Sequence, residues 1–129
     1  MSVQEPKLPP RVLPLFEQLY DLPLRRPGLL RAAVIAHRAR IEAQAADRPF
    51  VDVDLAYRMV NVCFALLRDY STFDDQERRS VQAACVYFAR RQGAQDDDHD
   101  PVVGLNDDCE VLNYVCRVLD REDLVIALD

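Results

Sequence analysis

Apolar positions recur at three- and four-residue intervals along most of this chain, the period of helices that bury one face. Leu15, Phe16, Leu19 and Tyr20 predict a short helix over residues 14–21, with Pro14 at its first position and Pro23 stopping it. Pro27 opens a longer helix to about Ala46, on which Leu30, Val34, His37 and Ile41 form the buried stripe. Beyond Arg48-Pro49, Asp52 or Asp54 caps a third helix reaching about Tyr70. It carries two apolar stripes: Leu55, Met59, Val62 and Leu66 on one, Ala56, Val60, Cys63 and Leu67 on the other, with Phe64 between. A helix apolar on more than one side is buried by several neighbours, so the 52–70 helix is expected at the centre.

Ser71 with Asp74, or Thr72 with Asp75, resembles a capping box and starts a fourth helix, whose core stripe is Val81, Ala84, Cys85 and Phe88. Arg90 and Arg91 suit its C-terminal end, and Gly93 suits the position just past it. A fifth helix, capped by Asn106 or Asp107, runs to about Leu119 with Cys109, Leu112, Cys116 and Leu119 inward and Val111, Val115 and Val118 alongside. Asp107 and Glu110 have capping-box spacing. Residues 124–128 are too short a run for a period and read as a last helical turn docked on the core.

The expected fold is therefore all-α: a single compact helical domain, residues 14–129, of about five helices around the 52–70 helix. Before it, Pro6, Pro9, Pro10 and Pro14 keep residues 1–13 an extended arm, because proline fixes φ and lacks an amide donor. Such an arm is either disordered or laid across another surface.

Composition changes this picture little. A chain of 129 residues, 50% hydrophobic and 29% charged, can bury a core without disulfide or metal staples. No apolar run is long enough to span a bilayer, and residues 1–7 lack the basic-then-apolar pattern of a signal peptide, so a cytoplasmic protein is expected. Three glycines leave no phosphate-binding loop or dinucleotide fingerprint, and no Gly-x-Ser-x-Gly elbow is present. Arginine replaces lysine almost everywhere, as the codon usage of a GC-rich genome produces; Lys7 is the one lysine. Cys63, Cys85, Cys109 and Cys116 contain no C-x-x-C pair and fall on helical stripes, so buried reduced thiols are expected rather than zinc ligands. Lone His37, on or beside a buried face, reads as a packed, hydrogen-bonded histidine. Arg31, Arg38 and Arg40 lie off that face and read as solvated; without aromatic interleaving, in an acidic protein, they do not make a nucleic-acid patch.

Charge does add something. Residues 1–95 hold 14 basic and 11 acidic residues, net +3, whereas residues 96–129 hold 2 basic and 11 acidic, net −9. Such asymmetry marks either a solubilising end or an interaction surface for a protein partner; a homo-oligomer is a separate expectation that the sequence leaves open. Its densest part is Asp96-Asp97-Asp98-His99-Asp100, followed by Pro101, Gly104, Asp107 and Asp108. The structural reading makes Pro101 a stiffener, Gly104 a turn residue with a φ others resist, and Asp107 and Asp108 helix caps.

A metal reading sets Asp96, Asp98 and Asp100 at positions 1, 3 and 5 and Asp107 at position 12 of an EF-hand-like loop for calcium or magnesium, with Val103 at position 8. Pro101 stands there where such a loop turns on glycine, and Asp107 is a shorter arm than the bidentate Glu. In a metal-dependent enzyme or sensor, His99 would serve as acid or base.

Tyr87-Phe88, then Asp98-x-x-Pro101-x-x-Gly104-x-x-Asp107-Asp108 and an apolar helix, resembles the signature of the YkvA-like family, a bacterial domain of unknown function. The likeness runs from Ser80 to the region of Leu124. The family's earlier Asp-x-x-Pro falls here on Ala94 and Asp97, so that half is absent. The resemblance implies an all-helical domain without established catalytic activity, and it transfers no catalytic residue. The expected function is a non-enzymatic structural or interaction module with an acidic C-terminal surface. The metal-binding protein or metal-dependent enzyme is the alternative.

Overall fold

The computed structural model describes residues 7–47, 53–90 and 101–127, with side chains from residue 107 onward in the last stretch. Five α-helices account for most of them: α1 (Leu13–Tyr20), α2 (Pro27–Asp47), α3 (Val53–Arg68), α4 (Asp75–Ala89) and α5 (Pro101–Val118), with short 3₁₀ turns at Tyr70–Thr72 and Glu122–Leu124. No strand occurs among the described residues.

One contiguous apolar core runs from Val12 to Ile126. The two stripes of α3 are both buried, as its double periodicity requires, and α3 packs on α2, α4 and α5. It shares the centre with α4, which touches all four other helices. The burial of α4 runs from Ser80 to Cys85 and from Tyr87 to Ala89, so a helix with one obvious sequence stripe is enclosed on several sides.

The ends of the helices depart from expectation. The box that opens α4 is Asp74-x-x-Glu77: the Glu77 amide donates to Asp74 Oδ1 at 2.8 Å, and the Asp74 amide donates to Glu77 Oε1 at 2.9 Å. Ser71 and Thr72 belong to the preceding 3₁₀ turn, where Thr72 Oγ1 donates to the Asp69 carbonyl at 2.6 Å. Glu is the longer third-position arm and reaches back where Asp does not. Asp74→Ala should cost on the order of 1 kcal/mol in chemical denaturation and Asp74→Asn a few tenths, because Asn caps nearly as well; equal losses would mean that the side-chain cap is not the source.

At its far end α4 closes at Ala89, with Arg90 in extended backbone. Arg91 and Gly93 lie outside the described residues, and a helix ending at Ala89 leaves Gly93 too distant to be its C′ residue.

The largest correction concerns α5, which begins at Pro101 rather than at Asn106 or Asp107. Proline at the first position costs no hydrogen bond, because that amide has no helical partner. Asn106, Asp107 and Glu110 therefore sit inside the helix and cannot form a cap or a capping box. Gly104 lies in helical backbone, and no described glycine has a positive φ. The left-handed residue is Asp120, with φ 60°. It closes α5 in a Schellman motif: the Arg121 amide donates to the Cys116 carbonyl at 2.7 Å, and the Asp120 amide to the Arg117 carbonyl at 3.1 Å.

Beyond it the chain makes the 3₁₀ turn and continues extended rather than as a helical turn. It does dock: Ile126 is buried, and Asn113 of α5 takes both of its backbone groups, accepting from the amide and donating to the carbonyl, each at 2.8 Å. At the other end, Leu8 and Val12 pack on the core, and residues 10–12 form a turn, the Val12 amide donating to the Pro9 carbonyl at 3.1 Å, in place of the expected extended arm.

Candidate functional site

The segment that holds Asp96, Asp98, His99 and Asp100 lies outside the described residues. Its anchor points are known, because it leaves α4 at Arg90 and returns at Pro101. The chemistry that can be built is the polar cluster around those anchors.

Adjacent aspartates on α5 face different surroundings, as a step of about 100° per residue requires. Asp107 turns outward and accepts from Arg11 Nε at 2.9 Å and Arg11 Nη2 at 2.6 Å, while Glu110 accepts from the same Nη2 at 2.9 Å. Arg11 is 59% exposed, so water screens this ion pair and little stability follows from it. It does bear on the metal reading. Asp107 is the one proposed ligand among the described residues, and a cation there would have to displace the guanidinium. Among the described residues no three His, Cys, Asp or Glu side chains converge as a ligand set.

Asp108 turns inward and is 6% exposed. Burial drives its carboxyl well above the usual range, the Asp107 charge adds to this, and the Arg90 guanidinium opposes it. Arg90 lies over the Tyr87 ring, its guanidinium carbon 4.7 Å from the centroid, and its buried Nε meets no hydrogen-bond acceptor among the described residues.

On the α2 side, Arg40 Nη2 donates to the Ala89 carbonyl at 2.9 Å and lies 3.1 Å from His37 Nδ1. That carbonyl is one of the last of α4, which no helical amide can satisfy. Arg40 is thus a tertiary tie, not a solvated charge, and the expectation for it is corrected. Arg31 is exposed, as expected, with its guanidinium over the Phe64 ring, 4.5 Å from the centroid.

His37 packs edge-on against Phe88, centroids 4.9 Å apart, and its pKa is lowered to about 4 by burial first, then by Arg40 and Arg90. At neutral pH the ring is uncharged. Since Arg40 can only donate, Nδ1 accepts and Nε2 carries the proton.

The four cysteines are free and buried, as their stripes predict. The Cys63 thiol is pushed well up by its contact with Cys85 and by burial; burial raises Cys109 to about 11 and Cys116 to about 12. Neutral thiols out of solvent are poor nucleophiles.

Two buried polar residues escaped the periodicity argument. Gln82 accepts from the Arg25 amide at 2.7 Å and donates to the carbonyls of Leu22 and Pro23, which pins the α1–α2 loop onto α4. Asn113 holds the C-terminal segment. The signal for both was a lone amide inside an apolar run, Val81-Gln82-Ala83 and Leu112-Asn113.

Compared with protein-family models, with curated proteins and with solved structures, the chain matches none. No helix among the described residues is long and apolar enough to cross a membrane.

Proposed function

We propose that this protein is a non-enzymatic interaction module of the YkvA-like type, which offers its acidic C-terminal third to a protein partner. The observation that carries the reading is how the fold sorts that third. Its chemically reactive groups, Cys109 and Cys116, are sealed in the core, whereas Asp120, Glu122 and Asp123 stay at the surface. Of its two arginines, Arg121 is already engaged by Asp69 at 2.8 Å and Asp123 at 3.1 Å, which leaves the acidic excess facing outward. His37, the described histidine, is neutral and tied to Arg40, with no nucleophile beside it. A partner for this surface is basic, and its binding weakens as salt rises.

The test is affinity capture with the intact chain and with Asp96→Lys/Asp97→Lys/Asp98→Lys. Loss of the captured partner in the variant, and in the parent at high salt, supports the reading. Retention of every partner by the variant removes this surface from consideration.

A further inference from the structure

Residues 22–41 hold five arginines and no Asp or Glu, in a chain of 129 residues with 22 acidic ones. Arg25, Arg26, Arg31, Arg38 and Arg40 enter no ion pair among the described residues. The acids nearest to them are exposed or engaged. Asp21 and Glu42 border the run, and Glu42 accepts from the Tyr57 hydroxyl at 2.6 Å. Asp69, next to the Tyr70 that donates to the Arg25 carbonyl, is held by Arg121 and Arg68. The acidic C-terminal third is farther off, because α5 packs on α3 and α4, which stand between it and α2. A helix is about 10 Å across, so that charge lies beyond roughly one Debye length at physiological salt. This side of an acidic protein is basic in its own right.

The same run exposes three large aliphatic side chains: Leu24 at 38%, Leu29 at 62% and Ile35 at 38%. On α2, a step of about 100° per residue sets Ala32, Ile35, Ala36 and Ala39 on the side away from buried Leu30, Val34 and Ile41. Leu29 and Arg40 run along one border of that side, and Arg31 and Arg38 along the other. The outward face is therefore aliphatic and edged with arginine.

We propose that this face rests on the surface of a membrane rich in anionic lipid, with Leu24, Leu29 and Ile35 entering the headgroup layer and the arginines meeting lipid phosphates. The helix lies in the plane of the interface and does not cross it. Charge selects an anionic occupant and repels a basic one. The aliphatic side chains then separate lipid from nucleic acid. A polynucleotide would engage the arginines and leave Leu29 and Ile35 in water. The rings it could stack on are already taken, Phe64 by Arg31 and Tyr57 by Glu42.

Shape and size separate lipid from a folded partner. Leu29 to Arg40 spans about 17 Å, so the face covers roughly 170 Å², against roughly 800 Å² per partner in a standard protein interface. Alanines make it convex, with no groove for a partner's side chains. A lipid surface needs neither size nor groove, since it deforms around inserted side chains and offers phosphates wherever a guanidinium reaches. The attachment is reversible and no tighter than the roughly 10⁴ M⁻¹ of a single myristoyl chain. Each arginine near the surface adds about fivefold.

The test is sedimentation of the full chain with vesicles at about 1 mM lipid, made either of phosphatidylglycerol with phosphatidylcholine or of phosphatidylcholine alone. We expect binding to the anionic vesicles only, lost as sodium chloride rises to about 0.5 M. Arg26→Gln/Arg38→Gln should weaken it about 25-fold. Leu29→Gln/Ile35→Gln should weaken it about tenfold or more. None of these four side chains belongs to the core, so the thermal melts should match the parent's. No binding to anionic vesicles, or equal binding to both kinds, would overturn the proposal. So would binding that Leu29→Gln/Ile35→Gln leaves untouched; retention of the same variant on duplex DNA would then assign the arginines to a polynucleotide.

Discussion

Phe88→Ala should lower the free energy of unfolding by about 3–5 kcal/mol, the range for deleting a fully buried aromatic side chain. Phe88 is 1% exposed and belongs to α4, the helix that contacts all four others. Its ring also forms the wall against which His37 packs. Truncation therefore leaves a cavity beside an imidazole that depends on dry surroundings for its neutral state. Against a total stability of about 5–15 kcal/mol for a domain, the loss takes the protein close to its unfolding threshold at room temperature. Phe88→Leu, which keeps most of the volume, should cost about 1 kcal/mol. Urea unfolding checks both. The midpoint should move while the slope stays, and a loss below about 1 kcal/mol for the alanine variant would mean that the core does not close around this ring.

Asp108→Asn should stabilise the protein at neutral pH by raising the melting temperature a few degrees, although it removes a carboxyl group that the Arg90 charge favours. The reason is burial. The folded-state pKa of Asp108 is raised above its ordinary value of 3.8. A group with a raised folded pKa contributes stability at low pH and loses it as pH climbs from the unfolded value through the folded one. The parent protein gives up that contribution on the way to neutrality, and asparagine does not. The gap between the two should accordingly be small near pH 4 and widen above it.

His37 works in the opposite direction. Its folded pKa of about 4 lies below the ordinary 6.5, so the unfolded chain takes up the proton first and stability falls as pH drops from about 6.5 to about 4. His37→Gln should flatten that acid limb and leave the alkaline side alone. Thermal melts of the three proteins across this range separate the two groups. An Asp108→Asn variant less stable than the parent at neutral pH, by a margin that shrinks as the pH falls below about 4, would show that the carboxylate is ionised and well paired in the fold.

The sequence by itself determined the helical class, the number of helices, the buried stripes and the state of the thiols. Those properties rest on a period of 3.6 residues and on the cost of leaving apolar side chains in water, and both are local. It also showed that α3 would be buried on more than one side. Only the tertiary structure decided where the helices begin and end. Cap signals such as Ser71, Thr72, Asn106 and Asp107 compete with neighbours of similar chemistry, and the winners, Asp74 with Glu77 and Pro101 at the start of α5, are separated from them by about 1 kcal/mol or less.

Tertiary structure also decided the fate of the charged residues. Asp107 and Asp108 are adjacent in the chain, yet one meets Arg11, 96 residues away, and the other enters the core. Arg40, off its helix's stripe, is drawn to the last carbonyl of α4. The sequence pattern places a side chain on a helix face. What that face meets depends on how distant helices pack, and a polar group is exposed, paired or neutralised by that packing alone.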